Sequence, residues 1–281
     1  MKTKELYNSI STELTSLYDE QEANSIAFLL LEAILGITKT DCIVNTTLHV
    51  SLMKDREIKV AIEKLLRHEP IQYVLGKADF YGREFVVDAN VLIPRNETEE
   101  LVQLIINENK ASNLKIVDIG TGSGCIPISL YLALDNAEVE AVDISEAALA
   151  IAQQNASALD AHITFNHFDI LSGTPLPNQY HIIVSNPPYV TQNEKTLMRP
   201  NVLNFEPHLA LFVEDNDPLI FYNAIVQHSK HSLYNEGRLY FEINENLGVE
   251  VASIMENAGF KKTRIIQDLN GKDRIVTGVM M

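Results

Sequence analysis

An asparagine followed by two prolines and a tyrosine is the clearest chemical signal in the sequence. The residues are Asn186, Pro187, Pro188 and Tyr189, and they follow an apolar run typical of a buried strand. Consecutive prolines hold the backbone extended and remove two N–H donors, so carbonyl acceptors stay exposed. The Asn186 side-chain oxygen and the Pro187 carbonyl can then accept both hydrogens of a planar –NH2 group, while Tyr189 offers a face for stacking.

Such a site suits group transfer to nitrogen. An amide nitrogen is a poor nucleophile because its lone pair is delocalised into the carbonyl. Two acceptors on its N–H groups return electron density to the nitrogen and fix it in line with an incoming carbon. This is catalysis by orientation and electrostatic stabilisation, with no metal and no covalent intermediate. The alternative is that this segment is only a rigid loop at a strand end. The glycine-rich motif described next argues against that alternative.

A glycine-rich turn upstream of this loop supplies the second signal. It follows an apolar run and consists of Asp118, Gly120, Thr121, Gly122, Ser123 and Gly124. Alternate glycines let the backbone turn tightly and approach a ligand, and a helix that starts there presents free N–H groups. The spacing is G-x-G-x-G, not the G-x-G-x-x-G of dinucleotide sites, and no Gly-Lys-Ser/Thr follows. A plain strand-to-helix turn remains the alternative.

Acidic residues at the ends of the next two strands complete a nucleoside-binding pattern. Asp143 comes about twenty residues after the loop, where a carboxylate can accept from both hydroxyls of a ribose. Asp169, beside Ile170, is placed to accept from an adenine amino group. The set requires no phosphate and predicts S-adenosylmethionine, whose sulfonium cation suits an acidic pocket. Asn186 is expected to contact both this cofactor and the substrate.

These motifs need a sheet that brings strand ends together. From Lys115 onward the sequence alternates predicted strands and helices. The predicted strands are 115–119, 138–142, 162–166, 180–185, 237–243, 261–267 and 274–279, and the helices are 125–134, 146–159, 218–231 and 247–258. The pattern predicts an α/β fold with a mostly parallel, seven-stranded sheet covered on both faces. Ligands on such sheets bind beyond the carboxyl ends of the strands.

The chain before this region is helical in pattern. Apolar residues recur at helical spacing over 6–17, over 26–34 before a capping Gly36, and over 52–66 before Pro70. A small all-α bundle is therefore predicted over residues 1–75, with no chemical constellation in it.

A short segment, 76–95, predicts a β-hairpin linker between this bundle and a catalytic domain over 96–281. Its strands are expected at 80–87 and 91–93, with the turn at Asp88-Ala-Asn. Asn96 with Glu99 forms a weak capping-box pattern, which predicts that Asn96 caps the next helix.

The net charge of the chain limits the classes of substrate that it can bind. The 281 residues include 22 Lys+Arg and 38 Asp+Glu, a net charge of −16, and between 118 and 217 the only basic residues are Lys195 and Arg199. Binding a nucleic-acid backbone needs Lys and Arg, so a nucleic-acid substrate is disfavoured, although basic residues occur again after 260.

The two cysteines of the sequence fit a reducing compartment, and they are too few for a disulfide framework or a zinc site. With no apolar leader or spanning run, a cytoplasmic protein without metal or membrane is expected.

On these motifs the sequence resembles class I S-adenosylmethionine-dependent methyltransferases with an N-P-P-Y loop. More closely, it resembles the PrmC/HemK family, the protein-(glutamine-N5) methyltransferases of peptide chain release factors. The motifs specific to this family are Pro70–Gly76, Phe80-Tyr81-Gly82 with Phe85, Leu92–Arg95 with Glu97-Thr98-Glu99, and Phe205-Glu206-Pro207. The resemblance covers nearly the whole chain.

The resemblance implies a Rossmann-like methyltransferase domain after a small helical domain that helps to hold the substrate protein. It implies methylation of the glutamine in the Gly-Gly-Gln motif of class 1 release factors, with S-adenosylhomocysteine as the second product. The family's roles for Asn186 and Pro187 match those inferred above. Asn96 departs from the family's usual Pro, and Asn244 from its frequent Gly. Arg95 suits either a ligand contact or an ion pair, and Glu206 suits shaping of a loop.

Two other functions compete. The N-P-P-Y motif is shared with enzymes that methylate exocyclic amines of nucleic-acid bases, so an rRNA or DNA methyltransferase is the main alternative. A non-catalytic binding module is the other, and the intact motif disfavours it.

Overall fold

The structure is a computed structural model that describes residues 2–281. It contains two compact units, which we call the helical unit and the sheet unit. The helical unit is the chain up to Lys77 together with Arg199–Phe205, and the sheet unit is Ala78–Met198 with Glu206–Met281. Within residues 2–281, no helix is both long enough and apolar enough to cross a membrane. The functional division at residues 75 and 95 stays a prediction.

The predicted helices and the seven predicted strands of the sheet occur in order among the described residues, with five further short elements that were not predicted. The helices are α1 (Thr3–Leu14), α2 (Glu20–Leu35), α3 (Lys39–Val44), α4 (Leu52–Leu65), α5 (Ile71–Leu75), α6 (Asn96–Glu108), α7 (Cys125–Ala133), α8 (Glu146–Ala158), α9 (Pro200–Phe205), α10 (Ile220–Ser232) and α11 (Gly248–Asn257). The strands are β1 (Lys77–Phe80), β2 (Arg83–Val86), β3 (Lys115–Ile119), β4 (Glu138–Asp143), β5 (Ile163–His167), β6 (Tyr180–Ser185), β7 (Val190–Thr191), β8 (Phe212–Val213), β9 (Leu233–Glu242), β10 (Lys261–Gln267) and β11 (Asp273–Val279).

Apolar residues at helical spacing form the core of the helical unit. Leu14 of α1, Leu30 and Leu31 of α2 and Leu65 of α4 are fully buried in one cluster. Gly36 ends α2 in the left-handed conformation, with φ +66°, which a residue without Cβ adopts at low cost. The sequence analysis missed α3 and α5 because a single turn or two is too short to show a repeat.

A seven-stranded sheet organises the sheet unit, in the order β10-β11-β9-β6-β3-β4-β5. Only β11 runs antiparallel to its neighbours, so the predicted α/β class and mostly parallel sheet are confirmed. Successive strand residues face opposite cores: Ile182 packs with α6, α7 and α8, and Ile183 packs with α10 and α11. In register, Ile119 lies beside Val142 and Ser185, so the ends of β3, β4 and β6 meet at one edge.

The hairpin before α6 exists, but its predicted strands and turn were wrong. β1 pairs with β2, and the turn lies at Tyr81 and Gly82, which both have positive φ, +49° and +72°. Two consecutive left-handed residues match the twist of a two-stranded ribbon, as in type I′ turns. Residues 91–93 form no strand, and Asp88 instead caps a local turn by accepting from Asn90 N.

The predicted cap of α6 was also wrong. Arg95 is the N-cap residue, with no side-chain cap bond, and Asn96 is already helical. Glu99 does not reach back to the helix start, because its Oε1 accepts from Tyr81 N at 2.8 Å. The glutamate therefore secures the hairpin turn, and the capping-box spacing is coincidental.

Asn155 of α8 joins the hairpin to the glycine loop. Its side chain is buried, accepts from Val86 N at 2.7 Å, and donates to Val86 O at 3.0 Å and Ser123 O at 2.9 Å. A buried amide with three partners holds two segments that the sequence does not show to be neighbours.

Asn155→Ala is expected to lower the free energy of unfolding by about 3 kcal/mol, because it leaves buried backbone groups without partners. Urea denaturation measures the change. Gln154→Ala, an exposed position of the same helix, is the matched control and should change stability by less than about 0.5 kcal/mol. Equal effects of the two variants would remove Asn155 from this role.

Candidate active site

The glycine loop closes the end of β3 and is bonded to β4. The N–H groups of Gly120 and Thr121 both donate to Val142 O, at 2.9 and 3.1 Å. Asp143 then accepts from Gly122 N and from Ser145 N, each at 2.9 Å, with one carboxylate oxygen apiece. The predicted ribose acid is thus fixed in place by backbone donors, and each of its oxygens keeps a lone pair for a further hydrogen bond.

Gly124, the third glycine of the loop, is closely packed between two helices, and its predicted contact with the cofactor stays a prediction. Its φ is +79°, and a Cβ there would lie 3.1 Å from Ala152 Cβ and 3.1 Å from Ile128 Cδ1. At Gly120 and Gly122 a Cβ would meet nothing within 4 Å, although both also have positive φ. The third glycine is therefore required by the close approach of α7 to α8, and the first two leave open space over the loop.

A cavity of about 370 Å³ lies over these strand ends in the sheet unit. Most of the predicted site residues line it, namely Gly120, Thr121, Gly122, Ser123, Asp143, Asp169, Ile170, Asn186, Pro187 and Pro188. Asp118, Gly124 and Tyr189 do not line it. The structure therefore brings the glycine loop, the two acids and the N-P-P loop to a single cavity, as the strand-end argument expected.

Asp118 lies beneath this cavity in an unusual state. Its carboxylate is fully buried, and neither oxygen has a hydrogen-bond partner. Burial, with a smaller contribution from the charge of Asp143, raises the pKa of Asp118 from 3.8 to about 7. The nearby Thr121 hydroxyl lowers this pKa in part but lies outside hydrogen-bonding geometry. A buried carboxylate without a partner is a site for a cationic ligand group.

The cavity residues fit a nucleoside with a cationic tail. Asp169 accepts from Leu171 N at 2.8 Å through Oδ1, which fixes the carboxylate at the cavity wall. Apolar side chains that the sequence analysis did not identify complete the lining, among them Phe168, Phe221 and Leu209. Phe221 lies on α10, a segment that the sequence analysis predicted only as a helix, so no local signal marked this residue as part of the site. Open glycines, two fixed acids, apolar walls and the unpaired Asp118 together match the predicted cofactor.

The N-P-P-Y loop leaves the end of β6 beside the glycine loop. Ser185 Oγ donates to Ile119 O at 2.7 Å and so ties the two strand ends together. The Asn186 side chain donates through Nδ2 to Thr98 Oγ1 at 3.3 Å, which leaves its Oδ1 for another donor. Tyr189 packs against the apolar cluster below α10, and burial raises its pKa. Its role as a stacking surface stays a prediction.

Arg95 and Glu206 form an ion pair at the cavity. Arg95 Nη2 lies 2.6 Å from Glu206 Oε1, and the buried Glu206 also accepts from Ile93 N at 3.3 Å. Arg95 is the only basic residue among those that line the cavity. Its charge is already compensated by the ion pair with Glu206. Asn244 lies away from the lining, accepts from Asn246 N and donates to Glu194.

Two solved structures of methyltransferases are similar in fold to this chain. A methyltransferase from Pyrococcus furiosus matches with a TM-score of 0.53 at 12% identity, over 80% of this chain and 98% of that one. The 16S rRNA N2 G1207 methyltransferase RsmC of Thermus thermophilus matches with a TM-score of 0.53 at 15% identity, over 73% of this chain and 50% of that one. At such low identity these similarities establish the fold alone.

Sequence comparisons are far closer. Residues 5–76 match the model of the PrmC N-terminal domain, and residues 96–203 match that of the methyltransferase small domain. The release factor glutamine methyltransferase of Flavobacterium psychrophilum is 46% identical over 94% of both chains. That of Bacteroides thetaiotaomicron is 46% identical over 95% of this chain and 96% of its own. The chain therefore belongs to the family of release factor glutamine methyltransferases.

Proposed function

We propose that the protein transfers a methyl group from S-adenosylmethionine to the side-chain amide nitrogen, N5, of the glutamine in the Gly-Gly-Gln motif of peptide chain release factors, in the cytoplasm. One observation supports this above the others: the N-P-P loop, with its acceptors, and the glycine loop with Asp143 line one cavity. The near full-length identity to release factor glutamine methyltransferases supports glutamine as the acceptor.

When bound, S-adenosylmethionine supplies an electrophilic methyl group. Asp143 and Asp169 would hold its ribose and adenine, and the unpaired Asp118 would face its positive charge. Asn186 Oδ1 and the Pro187 carbonyl accept from the two N–H groups of the glutamine amide and orient its lone pair. The nitrogen gains the methyl group and afterwards loses one proton, so no strong base is needed beforehand.

Charge at the site supports a protein acceptor over a nucleic acid. The lining holds two carboxylates, Asp143 and Asp169, and a single guanidinium, Arg95, which Glu206 already neutralises. A base methyltransferase must guide a phosphate backbone to its cavity, which needs unpaired positive charge there.

Methyl transfer to three acceptors tests this proposal. Labelled S-adenosylmethionine is offered with purified release factor, with the same factor carrying Ala in place of the Gly-Gly-Gln glutamine, and with tRNA and rRNA. We expect label on the intact release factor only. Label on RNA, or equal label on the Ala variant, would contradict the proposal.

A further inference from the structure

Two buried residues outside the predicted site lie directly behind Asn186. Thr98, in the first turn of α6, accepts from Asn186 Nδ2 at 3.3 Å, and its hydroxyl donates to Glu242 Oε2 at 2.6 Å. Thr98 is 3% exposed, and Glu242, at the end of β9, is 2% exposed. A chain of hydrogen bonds thus runs from a buried carboxyl to the amide that the reaction uses.

We propose that Thr98 and Glu242 are positioning residues that hold the Asn186 amide with its oxygen turned toward the substrate. This inference rests on the proposed function, because it assigns how the acceptor oxygen of that same site is oriented. Glu242 does not line the cavity, whereas Thr98 lines it beside Asn186, and both are assigned to act by holding the Asn186 amide.

The direction of the hydrogen bonds supports this assignment. An ionised carboxylate only accepts, so the Thr98 hydroxyl must give its single proton to Glu242. The Thr98 oxygen can then only accept, and only the –NH2 side of Asn186 can bond to it. The Thr98–Glu242 distance of 2.6 Å falls in the range of charge-assisted O–H···O⁻ bonds. The opposite amide orientation would turn –NH2 groups of enzyme and substrate toward each other.

The fold holds Glu242 where this chain needs it. α6 packs on β9, and the Tyr222 hydroxyl donates to the Glu242 backbone oxygen at 3.2 Å. Without the hydrogen bond to Thr98, a carboxylate so deeply buried would be a costly residue at this position. Burial raises the pKa of Glu242 from 4.5 to about 7, and Thr98 and Arg274 oppose the rise.

Several charged and titratable groups face Glu242 from the elements around it. They are Arg95, Glu97 of α6, Cys125 of α7, Tyr189, Tyr222 of α10 and Arg274 of β11. The pKa values of Cys125, Tyr189 and Tyr222 are raised away from neutrality, mainly by burial. Glu242 differs from these three groups because its raised pKa, about 7, lies near neutral pH.

Substitutions at Thr98 test the hydrogen-bond relay that runs from Glu242 through Thr98 to Asn186. The expected signature is a loss in kcat without a loss in cofactor affinity. Thr98→Val keeps shape but removes the hydroxyl, and we expect kcat to fall about tenfold with cofactor affinity unchanged. Thr98→Ser restores the hydroxyl and should recover most of the loss. The matched control is Thr263→Val in β10, where the buried hydroxyl has no hydrogen-bond partner and its removal should leave kcat unchanged. A fall in kcat that is the same for Val and Ser would overturn the proposal.

The pH profile of kcat provides a second readout. In an Asp118→Asn background, which removes the other buried carboxyl with a pKa of about 7, kcat at saturating cofactor should fall as pH drops through about 7, because protonated Glu242 loses its role as an anionic acceptor. Glu242→Gln should show no such fall. An unchanged acidic limb in Glu242→Gln would overturn the proposal.

A measurement without any acceptor separates this inference from the proposed function. In the unliganded protein, NMR of the Asn186 side-chain –NH2, assigned by its loss in Asn186→Asp, should show slow proton exchange in the wild type and Thr98→Ser. Thr98→Val should exchange at least about tenfold faster. Fast exchange in the wild type would overturn the relay. If release factor is not methylated, the proposed function fails, and this exchange experiment still decides the relay.

Discussion

Replacing Asn186 by alanine is expected to abolish methyl transfer while cofactor binding survives. The substitution removes the acceptor oxygen that orients the substrate nitrogen but leaves the glycine loop, Asp143 and Asp169 untouched. Loss of a preorganised hydrogen-bonding group at a reacting centre lowers kcat by at least about 100-fold. Titration calorimetry with S-adenosylmethionine should give a Kd within about threefold of the wild type.

Asn166→Ala is the control for this variant. Asn166 is an exposed residue of β5, so its removal should change neither kcat nor cofactor affinity. Full activity of Asn186→Ala would remove Asn186 from its assigned role. Loss of cofactor binding together with activity would show that the residue belongs to the cofactor site rather than to the acceptor site.

Replacing Asp118 by asparagine is expected to stabilise the unliganded protein and weaken cofactor binding at the same time. The carboxylate is fully buried without a partner, and its pKa is raised from 3.8 to about 7. Because the folded-state pKa exceeds the unfolded one, the group lowers stability progressively as pH rises from 3.8 to about 7, and by a constant amount above that. The isosteric amide removes this charge.

The magnitude follows from the pKa shift. About three pKa units correspond to about 4 kcal/mol at pH 8, and burial of the amide itself offsets part of that. We therefore expect Asp118→Asn to be about 2 kcal/mol more stable than the wild type at pH 8 and about 1.5 kcal/mol less stable at pH 4, where the wild-type carboxyl is protonated and only the cost of burying the amide remains. Loss of a charged partner should weaken cofactor binding 10- to 100-fold, or about 1.5–3 kcal/mol.

Urea denaturation at both pH values and calorimetry with the cofactor measure these changes. Asp135→Asn, an exposed aspartate after α7, is the control and should alter neither quantity. A variant that binds the cofactor as tightly as the wild type would show that the cofactor's charge does not use Asp118. A variant destabilised at pH 8 would contradict the unpaired, buried carboxylate.

The sequence predicts the parts of this molecule that depend on local pattern. The ends of parallel strands meet at one edge, so placing Gly120, Asp143 and Asn186 at strand ends was enough to predict a shared cavity. Gly36 ended its helix as expected because only the local backbone decides a left-handed cap. The spacing of the motifs left open whether the methyl acceptor is a protein amide or a nucleic-acid base. The motifs specific to the family favoured the protein amide.

Contacts between distant residues set the limit of this prediction. Thr98 and Glu242 are 144 positions apart, and nothing in either neighbourhood shows that they bond. Glu99 fits a capping box by spacing, yet its carboxylate turns to Tyr81 N because the hairpin packs there. Asp88-Ala-Asn and Tyr81-Gly82 both form turns, but only Tyr81-Gly82 joins two paired strands, because the strands on either side of it pack together and against α8, which no local pattern shows.

Mapping the methylated atom in the product tests the central claim most directly. Release factor is incubated with the protein and S-adenosylmethionine, digested, and its Gly-Gly-Gln peptide is sequenced by tandem mass spectrometry. We predict one added methyl group on the side-chain amide of that glutamine, present with the wild type and absent with Asn186→Ala. Methylation at another residue, or an unmodified peptide under conditions where the protein binds its cofactor, would contradict the account.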